Sequence, residues 1–163
     1  MKVFLNFKIW SLLCVCVMAL LSCKNEPAST EFETVTNTYD SGKPKNVQVY
    51  SAADSSKIGA KEFYDNGSVK VDMKYKEGKR NGPTYSYYKD GKPWSLNTFE
   101  NDELHGPYQT WHENGQLYYD GKYEHNRKVG TWKFYNPSGD LLKTMDFDAN
   151  PDSTMDHLNI PKL

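Results

Sequence analysis

The chain has 163 residues, with 20 Lys+Arg against 21 Asp+Glu, 37% apolar residues and 14% aromatics, a length that suits one domain. The near-balance of charge supplies no basic field for nucleic acid. A mean hydropathy of −0.80 with a single long apolar stretch excludes a polytopic membrane protein.

In chain order, the first feature is Lys2 and Lys8 followed by the apolar run 9–21. At 13 residues the run is too short to span ~30 Å of hydrocarbon as a helix and has the length of a signal-peptide core. It ends in Leu20-Leu21-Ser22-Cys23, which resembles the bacterial lipoprotein lipobox. That resemblance implies removal of 1–22, lipid on the Cys23 thiol and an acylated new amino terminus, hence a membrane anchor. Each buried acyl CH₂ contributes ~0.8 kcal/mol, and more than one chain anchors stably. Cys14 and Cys16 would leave with the leader, so the mature chain would hold neither a disulfide nor a cysteine zinc site. Lys24, where an Asp would imply inner-membrane retention, points to the outer membrane of the cell envelope, facing periplasm or medium. Residues 23–38, polar and containing Pro27, are expected to be a flexible tether.

The region 39–150 is organised by a period. Gly67, Gly91, Gly115 and Gly139 are 24 residues apart, and Gly42 precedes them by 25. Gly82, Gly106 and Gly130 form a second comb at 24, with Gly59 displaced by one. Tyr50, Tyr75, Phe99, Tyr123 and Phe147 form a third, eight residues after each glycine of the first. Repeats are the first thing to settle, because they decide the architecture.

Each period holds two short runs and two turns. Runs such as 82–88 and 130–135 are aromatic and β-branched and too short for stable helices. The turns Asp65-Asn66-Gly67, Lys89-Asp90-Gly91, Glu113-Asn114-Gly115 and Pro137-Ser138-Gly139 follow, and Asn-Gly or Asp-Gly suits a hairpin. In the second run Val69, Val71, Met73 and Tyr75 alternate with Lys70, Asp72, Lys74 and Lys76, the period of a strand with one covered face. A further turn is expected at Gly78, Asp102, Asn126 and Asn150, residue types that enter the left-handed region cheaply. The expected fold is therefore all-β: an elongated antiparallel meander of about four to five hairpin repeats, with the combs of glycine in turns and stacked rings as the core.

Gly-x-Trp-x-x-Tyr-x-x-x-Gly at 130–139, Phe63-Tyr64-Asp65-Asn66-Gly67 and Tyr119-Asp120-Gly121-Lys122-Tyr123 resemble the bacterial variant of the MORN repeat. The resemblance covers 39–150; the first unit, with Val49-Tyr50-Ser51-Ala52-Ala53-Asp54, departs from the pattern as a degenerate cap, and 151–163 is a C-terminal cap or tail. It implies an antitoxin label of the YwqK type. An envelope immunity role against an exported toxin is the form that label takes behind a lipobox.

Catalytic motifs are missing from the sequence: there is no P-loop, Gly-x-Ser-x-Gly or His-Glu-x-x-His. His105 and His125 flank turns as solvated histidines, His112 stands in the column of Tyr64 and Tyr88 as an aromatic substitute, and His157 lies in the tail. Glu100, Asp102 and Glu103 cluster in a turn with no apolar pocket to shift a pKa. Lys70, Lys74, Lys76, Lys79 and Arg80 make a local basic patch, read as a solvated strand face. We expect no enzyme activity, cofactor or metal, and no nucleic-acid partner.

The function expected is protein binding or scaffolding, through an exposed stripe drawn from Tyr85, Tyr87, Trp94, Trp111, Tyr118 and Trp132. The alternative is cell-wall or surface polysaccharide stacked on those rings, with phospholipid a distant third. An unpaired strand at either end of the sheet offers a route to dimers.

Overall fold

The computed structural model describes residues 30–151, so the expected leader 1–22, Cys23, the first part of the expected tether and residues 152–163 lie outside the described residues. The described chain forms ten strands, β1 (Glu31–Thr38), β2 (Pro44–Ser51), β3 (Lys57–Phe63), β4 (Val69–Lys76), β5 (Lys79–Tyr87), β6 (Pro93–Glu100), β7 (Glu103–Trp111), β8 (Leu117–Glu124), β9 (Arg127–Tyr135) and β10 (Leu141–Asp146). They make one antiparallel sheet in chain order, the expected meander, and no helix occurs among the described residues. The sheet starts earlier than 39: β1 occupies part of the expected tether. Its side chains are exposed throughout, so β1 is held by its backbone ladder to β2 and by Phe32 stacked on Tyr50, 5.3 Å between ring centres.

Two kinds of reversal alternate. After each odd strand the chain turns through Tyr64 to Ser68 and its counterparts. There the Tyr64 N–H donates to the Ser68 carbonyl at 2.8 Å and the Gly67 N–H to the Tyr64 carbonyl at 2.9 Å. Only the glycine enters the left-handed region, at φ 94° in Gly67, while the Asn66 carboxamide accepts the Ser68 N–H. This is a type I turn closed by a left-handed glycine, rather than the mirror-image turn that Asn-Gly usually signals. The mirror-image pattern, two successive residues at positive φ, occurs after β4, β6 and β8, at Glu77-Gly78, Asn101-Asp102 and His125-Asn126, whereas the longer turn after β2 has only Ser55 at positive φ. Asn150 does not join them; its N–H donates to the Asp146 carbonyl as the chain leaves β10.

Gly82, Gly106 and Gly130, expected in turns, lie inside β5, β7 and β9, at φ 98°, 116° and 64°. Each coincides with a register shift against the preceding strand, between Met73 and Tyr75, Asn97 and Phe99, and Asp120 and Lys122. A bulge needs left-handed backbone as much as a turn does, and a bulge in every tight hairpin adds twist at a fixed interval.

The repeats are stitched along both ends of the strands. At the wide turns the hydroxyls of Tyr39, Tyr64 and Tyr88 donate to the carbonyls of Phe63, Tyr87 and Trp111, each at 2.8 Å, and His112 Nε2 meets the Tyr135 carbonyl at 3.1 Å. The histidine thus takes the tyrosine's place in the column, as its position implied. At the tight turns Asp102 Oδ1 accepts the Arg80 N–H at 2.9 Å and Asn126 Oδ1 the Leu104 N–H at 2.8 Å. Tyr88→Phe removes one stitch and leaves a half-buried carbonyl unpaired, which costs about 1 kcal/mol. The expected result is a melting temperature about 3 °C lower with unchanged circular dichroism; an unchanged melting temperature would show that the stitch contributes nothing.

The aromatic core lies on one face of the sheet, while Val47 and Val49 are buried on the opposite face, in and beside the cross-strand row of Lys61. Tyr119, Trp132, Phe134 and Phe147 are buried together, with Tyr108, Tyr118, Tyr123 and Met145 packed on them. Towards β5 and β6 the same face narrows to small buried side chains, Thr84, Ser86 and Ser95. The comb of rings follows this gradient. Tyr50 stacks on Phe32, Tyr75 lies under the Lys57 ammonium at 3.9 Å and Phe99 under the Arg80 guanidinium at 4.1 Å, whereas Tyr123 and Phe147 both pack edge-on to Trp132.

Candidate binding surface

The six rings proposed as one exposed stripe do not share a surface. Trp132 is 0% exposed and sits over Gly121, so it is a core residue and is withdrawn from the stripe. Trp94 and Tyr118, 24 residues apart, are half-buried against the stitching residues: Trp94 tilts on Tyr88 at 6.2 Å and Tyr118 on His112 at 4.5 Å. Trp111 is half-buried and lends its carbonyl to the Tyr88 hydroxyl. These three hold the wide-turn edge together.

Tyr85 and Tyr87 differ. They project from β5 on the face opposite the core and stack at 6.5 Å with their planes 28° apart, and Tyr85 is 39% exposed. Strand register surrounds them: Asp72 of β4 and Leu96 of β6 stand directly opposite Tyr85. Beyond these, Lys61 faces Asp72, and Gln109, Asp120 and Lys133 continue the row across β7, β8 and β9. The row crosses seven strands, about 29 Å at ~4.8 Å per step. Within this stretch the centre is aromatic and aliphatic and the flanks are charged; past Lys61 the row runs on to Val47, which is buried, and Val35.

Hydrogen bonds fix the polar ends. Lys61 Nζ donates to Glu33 Oε1 at 2.6 Å, which, with lesser help from Asp72, raises the Lys61 pKa and keeps it cationic. Gln109 Nε2 donates to Asp120 Oδ1 at 2.9 Å. Burial lifts the Tyr87 hydroxyl above its ordinary value and the Asp72 charge adds to it, so Tyr87 stays neutral. In the core, burial raises Tyr123 to about 12 and Tyr119 further still, and these serve packing.

Leu96, Asp72 and Gln109 were missed from the sequence. The signal was available in the period: Lys61, Tyr85, Gln109 and Lys133 are 24 residues apart, as are Asp72, Leu96 and Asp120. A concavity of about 660 Å³ opens elsewhere, at the tight-turn end between Tyr123, Arg127, Lys128, Phe147 and Asp148. Its mixed charges and shallow walls offer no convergent polar set. No group of three or more His, Cys, Asp or Glu side chains gathers for a metal among the described residues.

A series of two-strand units with one stitched geometry and one aromatic face defines a hairpin-repeat protein. The MORN repeat variant model matches residues 60–77, 80–101, 104–125 and 128–149, just over half of the chain, and the protein belongs to that family. The four matches begin in β3, β5, β7 and β9, so each unit comprises an odd strand and the even strand after it. No curated protein matches the chain. Among solved structures, it is similar to TarM at 16% identity and a TM-score of 0.46, over 71% of this chain and 21% of that one. The chain thus spans about a fifth of the length of TarM.

Proposed function

We propose that this protein is a non-catalytic module that binds another protein through the Tyr85–Tyr87 face, held at the outer membrane of the cell envelope by lipid on Cys23. The observation that carries the proposal is the row itself: a stacked tyrosine pair and Leu96 at the centre, with Lys61, Asp72, Asp120 and Lys133 outside them. An apolar, aromatic centre inside a polar rim is the anatomy of a protein interface, and tyrosines contribute area there at low entropic cost. A stitched sheet also presents the row already ordered, which reduces what association must offset. The lipobox supports the address, and an exported toxin as the partner would make the role one of immunity.

The test uses the full-length protein in its membrane with a photo-crosslinking amino acid at Leu96. A discrete protein adduct is expected, reduced ~30-fold by Tyr85→Ala, the size of a hot-spot loss of about 2 kcal/mol. Tyr85 is exposed, so its removal leaves the melting temperature unchanged. Crosslinking that is absent, or indifferent to Tyr85→Ala, would defeat the proposal. The exposed ring face also suits a sugar, so the same variants are titrated with peptidoglycan fragments; saturable binding that needs both tyrosines, without a protein adduct, would establish the polysaccharide reading instead.

A further inference from the structure

At the tight-turn end, two histidines that the binding face does not use stand side by side. His105 of β7 and His125 of the β8–β9 turn have ring centres 4.9 Å apart at 66°. Each presents Nδ1 to a glutamate: His125 Nδ1 lies 2.8 Å from Glu103 Oε2, and His105 Nδ1 lies 3.7 Å from Glu100 Oε2, buried and without a hydrogen bond. With both Nδ1 atoms turned to carboxylates, Nε2 is the nitrogen each ring has left for a ligand. A carboxylate behind Nδ1 is the arrangement that orients metal-binding imidazoles and raises their basicity.

The local charge points the same way. Glu100 and Glu103 are directly opposed across β6 and β7, a like-charge pair that opposes strand pairing. Glu124, ion-paired to Lys122 at 2.7 Å, also interacts with both imidazoles. The hydrogen bond from Lys122 holds the Glu124 carboxyl below the ordinary carboxylate range, and the imidazoles add to that. Three carboxylates and two imidazoles therefore share one end of the sheet, beside the cations Lys122 and Arg127, the latter opposite Glu124.

We propose that His105 and His125 chelate one late first-row divalent cation, Zn²⁺, Ni²⁺ or Cu²⁺, through their two Nε2 atoms. Imidazole is the preferred donor for these ions. No three donors are already assembled among the described residues, so water, or the Glu124 carboxylate on leaving Lys122, completes the coordination. The site is distinct from the tyrosine row and does not depend on it.

The test is calorimetric titration of ZnCl₂ and NiCl₂ into the full chain in detergent, prepared without a polyhistidine tag. One equivalent is expected to bind. His105→Gln and His125→Asn should each weaken binding at least ~10-fold, and Glu103→Gln, which removes the carboxylate behind His125, by a similar factor. Asn is chosen at 125 because it tolerates the positive φ there, 46° in the native residue. Melting temperatures without metal establish that the variants are folded, and Zn²⁺ should raise only the native protein's. Absence of binding, binding unchanged in both histidine variants, or binding abolished by His157→Gln instead would overturn the proposal.

Discussion

Trp132→Ala is expected to lower the melting temperature by about 10 °C or more and to loosen β8, β9 and β10 together. The indole is fully buried and touches Tyr108, Tyr119, Tyr123 and Phe147, so its loss opens a cavity that four neighbouring rings border. Large aromatic deletions of this kind cost about 3–5 kcal/mol, a third or more of the total stability of many domains. A chain of this size loses about 2–4 °C per kcal/mol. Because β5 and β6 rest on smaller side chains, their amides should keep more of their hydrogen-exchange protection than those of β9. A loss below about 1 kcal/mol would mean that the aromatic cluster is not the principal core. Such a variant is unsuitable as a probe of binding, which Tyr85→Ala examines without disturbing that cluster.

The second large effect separates two kinds of glycine. Gly121→Ala is expected to destabilise by about 2–3 kcal/mol, as overpacking does, although its backbone is at ordinary φ. A Cβ there would stand 2.1 Å from Trp132 Cδ2 and 2.3 Å from Cε2, and the indole is enclosed by rings with nowhere to move. Gly115→Ala meets nothing within 4 Å, so only its φ of 88° opposes an alanine, at about 1 kcal/mol. Urea denaturation of the two variants beside the native protein measures the difference. Equal losses would mean that Trp132 adjusts in ways its packing denies.

The architecture was readable in the sequence because its cause is periodic. A residue that must turn the chain, and a ring that must cover the neighbouring unit, recur wherever the unit recurs. Hence the order of the strands, their pairing and the place of His112 among the tyrosines followed from spacing alone. What spacing does not encode is which feature demanded the glycine. Gly67 and Gly82 both adopt left-handed backbone, one in a loop and one in a bulge, and their one-letter signal is the same.

Nor does aromatic richness say which face is dry. Trp111 and Trp132 look alike in sequence, yet one stays half-buried at the edge and the other is enclosed. The distinguishing residue is across the strand pair: Gly121 leaves space for an indole, and reading it requires the register that the bulge at Gly130 alters. β1 escaped notice for the opposite reason. Its side chains are exposed throughout, and its few contacts, Phe32 on Tyr50 and Glu33 with Lys61, leave no periodic pattern in the sequence.

The stitching tyrosines carry a consequence for how such a protein changes length. Every hydroxyl reaches a carbonyl in the following unit, from Tyr64 to Tyr87 and from Tyr88 to Trp111. A deletion of one whole period brings an equivalent donor opposite an equivalent acceptor, whereas a deletion one residue shorter or longer must be absorbed by a bulge or it misaligns the stitch it spans. Within the 24-residue units the stitching therefore favours changes of length by complete periods, while the 25-residue first period still keeps its stitch from Tyr39 to Phe63.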